Sequence, residues 1–591
     1  MQLEHRSDRR DPRAATAGFA ALLGLLALRA AAQDEAAPVQ GEFFDRIGVE
    51  IVNVEVYVTD AQGEPVPGLT LEDFVATEDG KPVELVNFYS TFDDPSEESA
   101  DRQAPGPSSE PAALGRSAAE SSAGSEAPLP WRSEQVAVPE SQRLHLVVYV
   151  DNSNIHPLNR NRVFGRLRTF LRDTLRAGDE VMVASYDRSL HVRQPFTTNP
   201  RLANETLIEL EGLSGYAVER ESERRDALQE IYETRTLHTA QFRAKQFAEN
   251  QLHEVGNALD GLREMIDSLG GLPGRKMLLH LSDGIPMVPG QDLYQAIQQR
   301  FADQSALSEA FTRDMSREYM QLIAHANSNR VSFYTIDAGG LRVRSGMGAE
   351  NATINNQIPV SVAVDGVRAR NLQDTLRLMA DRTGGQSILN TNDVSAGLER
   401  MARDVGNYYS IGYRAPTTDR GRYHRIEVRL ANPQKGWELR HREGYRDKSV
   451  EAKVADGARA FLIHGYQTNP LAVTLDVGNQ SETAEGLVAV PIEVRIPLDK
   501  LVLLPRGEIY EARLRIYFGA TDEEGREAPM QELPFDLRIP ASAIEMAKRD
   551  QVSRVIDATM RPGPHKLVVA VRDEIGAETS VVGRHLMVGA R

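Results

Sequence analysis

The stretch Val147-Val148-Tyr149-Val150-Asp151-Asn152-Ser153-Asn154-Ile155-His156-Pro157 runs from an apolar segment straight into a carboxylate, an amide, a hydroxyl and a second amide. A short, continuously apolar run that stops at turn-forming residues reads as a strand buried on both faces of a sheet. Its polar tip admits two readings. The oxygens can be ligands for a hard cation, or they can shape a turn by hydrogen-bonding to their own backbone.

Outward from this strand, the chain alternates strand and helix patterns from 143 to 415. Val163, Leu167, Phe170 and Leu171 fall at helical spacing, and Glu180 to Tyr186 is the next strand. Leu252, Val255, Leu259, Leu262, Ile266 and Leu269 step by three and four, which predicts a long amphipathic helix. Strands at Met277–Leu281 and Val331–Ile336, a helix from Asn371 to Arg382, a short strand near Gln386–Leu389 and a helix from Val394 to Val405 follow. Tyr408 to Tyr413 reads as the final strand, its tyrosines as core residues. This rhythm predicts an α/β, Rossmann-like domain with a mostly parallel sheet covered by helices. Two excursions interrupt it. Residues 214–250 are dense in charge and read as a solvated helical hairpin, and residues 338–370 are rich in Gly and Asn and read as an extended loop.

The flanks carry strand chemistry of period two. Ile51, Val52, Val54, Val56 and Val58 precede a turn at Asp60-Ala61-Gln62-Gly63, so 47–92 reads as a small β-rich domain. Ser, Ala, Glu, Pro and Gly dominate 93–142, a composition that predicts a disordered linker. After 415, residues 416–449 read as a β extension and 450–591 as a C-terminal β-sandwich, so Ig-like sandwiches flank the α/β domain.

The 591 residues are too many for one core, and a formal charge of −17 argues against nucleic acid and anionic lipid as partners. Arg6, Arg9, Arg10 and Arg13, an apolar run from Ala17 to Leu28 and small residues at Ala30–Ala32 make 1–33 read as a signal peptide, with 34–46 a disordered N-terminus. The mature chain is then exported, periplasmic or extracellular, with no integral membrane span. There is no cysteine, which removes disulfides, thiol nucleophiles and thiolate metal sites together.

Asp151 to Asn154, together with Leu281-Ser282-Asp283-Gly284, resemble the von Willebrand factor A domain. More narrowly, the order of motifs across 47–446 resembles bacterial VWFA-related proteins: "VNVEVYVTDAQGEPVPGLTLEDFVATEDGKPV" before the domain, then "YYSIGYRAP", "YHRIEVRL" and "ELRHREGY" after it. The resemblance implies a metal-ion-dependent adhesion site at the carboxyl edge of the sheet. Asp151, Ser153 and Asp283 would hold Mg2+ or Mn2+ there, with Asn152 and Asn154 as substitute ligands. The match is partial. The fifth motif position is Ile155, and Leu213-Ser214-Gly215-Tyr216-Ala217 stands where the family places a threonine loop. The implied site is degenerate, and the two excursions would rise beside it.

No Gly-x-Ser-x-Gly elbow, phosphate-binding Gly-Lys-Ser/Thr loop or His-Glu-x-x-His helix occurs. Ser153 and His156 lack an orienting third group in sequence, and His145 and His280 fall on buried strands. The expectation is a non-enzymatic protein-binding protein whose partner is unidentified. A structural envelope scaffold is the alternative, and a hydrolase at Asp151 the remote one.

Overall fold

The computed structural model describes residues 51–92, 143–341, 362–415, 421–483 and 486–589. The expected leader, the N-terminus 34–46, the linker 93–142 and the stretch 342–361 lie outside the described residues.

Four strands open the described chain: β1 (Ile51–Thr59), β2 (Phe74–Glu78), β3 (Lys81–Val83) and β4 (Leu85–Ser90). The α/β run follows with β5 (Leu144–Val150), β6 (Glu180–Tyr186), β7 (Leu190–Thr197), β8 (Arg275–Ser282), β9 (Val331–Asp337) and the short β10 (Ser387–Ile388). These form one six-stranded sheet in the order β10-β9-β8-β5-β6-β7, parallel except where β7 runs against β6. Every residue of β5 and β8 is buried. Leu146, Val148 and Val150 pack with α1 (Pro157–Thr174), α2 (Pro200–Glu211) and α9 (Ser395–Gly406). Val147 and Tyr149 pack with α4 (Leu237–Leu269), α7 (Ser316–Ser328) and α8 (Val362–Arg382) on the other face. Two covered faces are the reason these strands show no polar alternation.

Chain order places a reversal beside β5. The chain leaves β5 for β6 and β7 on one side, then returns to build β8, β9 and β10 on the other. Open α/β sheets form their crevice at such a reversal, outside the carboxyl ends of the strands. Asp151 follows β5 there and Asp283 follows β8.

The flanking strands correct the sequence reading. Residues 409–414, placed by pattern at the end of the α/β domain, form β11 (Tyr409–Arg414), which pairs antiparallel with β1 and β4. With β12 (Tyr423–Leu430), β13 (Glu438–His441) and β14 (Gly444–Arg446), two sheets result, β13-β1-β11-β4 and β14-β12-β2-β3. They share one core, in which Val54, Val56, Phe74, Tyr409, Ile411, Tyr413, Ile426 and Val428 are buried. Residues 51–92 and 409–446 therefore make one β unit rather than a separate small domain and an extension. Neither half has enough apolar faces to bury itself, and each completes the other. The Tyr409 hydroxyl donates to Val66 O (2.7 Å) and accepts from Leu69 N–H (3.2 Å), tying the halves across the sequence. Tyr409→Phe leaves both groups without this partner, and urea denaturation is expected to show a loss of about 1–2 kcal/mol.

The charged excursion is helical but not merely solvated. α3 (Ala217–Glu233) and the first half of α4 bury Ala227, Leu228, Ile231, Ala240, Ala244 and Phe247 against α5 (Gln291–Phe301) and α6 (Ala306–Phe311). Arg224, buried, pins α3 with its Nε 2.5 Å from Asp292 Oδ2 and its guanidinium facing Glu221 and Asp365. The second excursion is also shorter than its composition suggested, because residues 362–370 belong to α8.

Residues 450–464, expected within the β pattern, form α10 (Val450–His464). Val454, Ala458 and Phe461 of α10 pack on Tyr517, Val568, Ala570 and Val581. The remaining chain from 474 to 588 forms antiparallel sheets of four and five strands around a core that includes Val490, Ile492, Val494, Leu514, Ile516, Leu567 and Val569. Gly583 lies beneath Phe461, where any Cβ would stand 2.1 Å from the ring.

Candidate functional site

The polar tip of β5 folds as a closed hydrogen-bonded turn. Asp151 N–H donates to Leu281 O (2.9 Å), continuing the ladder between β5 and β8. The Asp151 carboxylate, 1% exposed, accepts at Oδ1 from Asn154 N–H (3.1 Å) and Asn154 Nδ2 (2.9 Å), and at Oδ2 from Ser282 Oγ (2.9 Å). An aspartate that captures an amide three residues on is the ordinary chemistry of such turns. Asp283 N–H donates to Asn154 O (3.1 Å), and its Oδ2 accepts from His156 N–H (2.9 Å) and Asn159 Nδ2 (3.0 Å). Ser153 Oγ accepts from Arg188 N–H (3.0 Å). The structure therefore brings Asp151, Asn152, Ser153, Asn154 and Asp283 to one edge.

The loop 213–217 also arrives there. A Cβ on Gly215 would sit 3.0 Å from Ile155 O and 3.2 Å from the Pro157 ring, so glycine permits the close approach. Asn152 Nδ2 donates to Ser214 O (2.9 Å) and to Asp187 Oδ1 (2.5 Å). Its Oδ1 accepts from Arg160, whose other terminal nitrogen donates to Leu213 O (2.8 Å) and Glu211 O (3.1 Å). Arg160 is fully buried. Burial works to depress its pKa, and Asp187 and Glu211 oppose that effect. Asp187 is held below the usual carboxylate range: burial works to raise it, and hydrogen bonds from Ser185, Asn152 and Arg193 outweigh that.

These contacts bear on the implied cation. Magnesium takes near-octahedral oxygen ligands at about 2.0–2.1 Å. Asp151 spends both oxygens on protein donors, the hydroxyl of Ser153 accepts a backbone N–H, and Asn152 Oδ1 faces a guanidinium. Ile155 is buried in the core under α1 and adds no oxygen. The donor set, as folded, does not fit directly held Mg2+ or Mn2+. A resident positive charge, Arg160, lies among these loops instead.

Sequence reading missed Arg160 and Asp187. The signal for Arg160 was present, because it occupies a position on the stripe Arg160-Phe164-Leu167-Leu171 that otherwise is apolar and buried. A charged residue on such a stripe needs buried partners. His280 lies fully buried under the tip, with Nε2 3.7 Å from Asp151 Oδ2. His145 is also buried, 3.3 Å from Glu180, as its strand position implied. Ser153 and His156 are not arranged as a nucleophile and base: His156 Nδ1 accepts from Leu158 N–H (3.3 Å) as the cap of α1.

No family model and no curated protein matches the chain. Solved structures with partial likeness include an aerotolerance-related membrane protein from Bacteroides fragilis, at 9% identity over 44% of this chain and 98% of that one, with a TM-score of 0.23. The conserved hypothetical protein BatB from Bacteroides thetaiotaomicron aligns at 10% identity over 45% and 97%, with a TM-score of 0.21. Manganese-loaded Plasmodium vivax TRAP protein aligns at 11% over 51% and 94%, also at 0.21. Likeness of this degree decides nothing about function. Among the described residues, no helix is long and apolar enough to cross a membrane.

Proposed function

We propose that the protein is an exported, non-catalytic binding protein of the periplasm or cell exterior, built on a von Willebrand factor A-like domain with Ig-like flanks. Its degenerate adhesion site has become a rigid floor. Recognition has moved to the side chains around it.

One observation carries this reading. Beside the locked turn, Leu158 is 75% exposed at the start of α1, and Leu213, Tyr216 and Val218 stand exposed where the loop enters α3. The Arg188 guanidinium lies 4.2 Å from the centre of the Tyr216 ring, and the Arg188 backbone is fixed to Ser153. Exposed apolar side chains next to Tyr and Arg are the composition of protein interfaces. The partner is a protein of unassigned identity.

The test compares the wild type with Leu158→Asp and Tyr216→Ala in capture from an envelope extract. Both side chains are exposed, so the variants should keep the melting temperature of the parent. At least a tenfold loss of a reproducibly captured protein is expected. Capture that both variants leave intact removes the rim from the reading. A scaffold role is the alternative, supported by the internal contacts of Asp151, Asn152 and Ser153 in the turn; retention of full-length protein in the envelope with no rim-dependent partner would favour it.

A further inference from the structure

A second cluster of donors lies in the β unit, away from the rim. β2 ends at Glu78, the turn to β3 is made by Asp79 and Gly80, and β12 carries His424 across from them. His424 Nδ1 lies 3.0 Å from Asp79 Oδ2 and 3.6 Å from Glu78 Oε1. One donor atom from each residue falls within 4.8 Å of the other two. Bonds of about 2.0–2.2 Å to nitrogen and oxygen in a tetrahedral ion hold neighbouring donors about 3.4 Å apart. The two observed separations bracket that value.

Each donor is aimed by its surroundings. Glu78, buried, accepts at Oε2 from the hydroxyls of Tyr413 (2.7 Å) and Tyr445 (3.0 Å), which leaves Oε1 toward the imidazole. The Tyr445 ring stacks on His424 with centroids 5.4 Å apart, fixing the plane of the imidazole. His424 is 1% exposed, and its Nε2 has no hydrogen-bond partner among the described residues, so its polar contacts lie on the Nδ1 edge. Asp79 adopts φ 49° and Gly80 φ 79°, a left-handed pair that Asp tolerates. The Arg425 N–H bond to Asp79 Oδ1 (2.9 Å) turns Oδ2 inward. That backbone bond, and after it His424, hold the Asp79 carboxyl below its usual range against the effect of burial. Asp79 is 35% exposed, which opens the cluster to solvent.

The geometry points to a three-donor site for a borderline divalent cation of the zinc class, formed by Glu78, Asp79 and His424, with water in the fourth position. Two carboxylates, one of them buried, beside an imidazole suit such an ion better than Mg2+, which prefers oxygen alone. The ligands come from segments about 345 positions apart. A cation held there binds only when the two halves of the β unit are joined, and so it clasps them.

The test uses full-length protein stripped with a chelator, then titrated with Zn2+ by calorimetry and followed by melting temperature. Co2+ serves as the visible-absorption probe. One equivalent should bind with micromolar or tighter affinity and raise the melting temperature by several degrees. Asp79→Asn keeps the turn and its acceptor oxygen, and should weaken zinc at least thirtyfold. His424→Gln should remove the Co2+ ligand-field band. Absence of saturable zinc binding by the stripped wild type overturns the proposal and leaves only the hydrogen bond between His424 Nδ1 and Asp79 Oδ2. Equal affinity in wild type and Asp79→Asn overturns it as well.

Discussion

Arg160→Ala should lower stability by about 3–5 kcal/mol, the scale seen when one member of a buried charged network is removed. The guanidinium is fully buried and joins three structures: the turn after β5 through Asn152 Oδ1, the end of α2 through Glu211 O, and the following loop through Leu213 O. Its removal leaves a buried amide oxygen and two part-buried carbonyls without this donor, and Asp187 with Arg193 as its remaining cation. The side chain also lies beside Phe164, so packing is lost with the charge. Urea denaturation measures the loss, and proteolysis of the loop 213–217 should become faster. A loss below about 1 kcal/mol would mean that the loops hold the edge without it. Arg160→Lys should recover only part of the difference, because a point charge cannot serve three acceptors set in a fork.

Asp151→Ala should cost about 2–3 kcal/mol, since it leaves the buried donors Asn154 Nδ2 and Ser282 Oγ without their acceptor, while Asn154 N–H keeps its bond to the Asp151 backbone oxygen (3.0 Å). The loss should be the same in chelator and in millimolar Mg2+ or Mn2+. A ligand bound only by the folded protein raises its melting temperature. Wild-type protein should therefore melt at one temperature with and without these ions. A rise of several degrees, abolished by Asp151→Ala, would restore the cation to Asp151, Ser153 and Asp283.

Much of the α/β layer was legible because its signals are local. The continuous apolar run at 146–150, the mainly apolar 277–281 and the three-four spacing of 252–269 mark elements whose burial follows from their own pattern. Once the strands are parallel, Asp151 and Asp283 must share an edge. The pairing of β11 was not legible, because alternation along Tyr409, Ile411 and Tyr413 says that one face is buried but not against what. The partners, β1 and β4, lie more than 300 positions earlier. α10 was missed because its neighbourhood is dominated by β alternation, and three of its four buried apolar residues, Val454, Ala458, Ala460 and Phe461, are small or β-branched. At the site, residue types fixed which groups meet. They did not reveal that both Asp151 oxygens, the Ser153 hydroxyl, Asn152 Oδ1 and Asp283 Oδ2 take internal partners, which depends on where Arg160, Arg188 and Asn159 arrive.

The joined β unit also decides how tension would run through the chain. β1 and β4 lie before the α/β domain, β11 and β13 lie after it, and all four are neighbours in one sheet. Ser90, the last residue of β4, faces Tyr409, the first of β11, so the α/β domain leaves and rejoins the chain at a single seam. A pull between residue 51 and residue 446 must first shear the hydrogen bonds of that sheet before it reaches the helices. The rim proposed for docking thereby lies off the mechanical line, and should keep its shape under loads that strain its support.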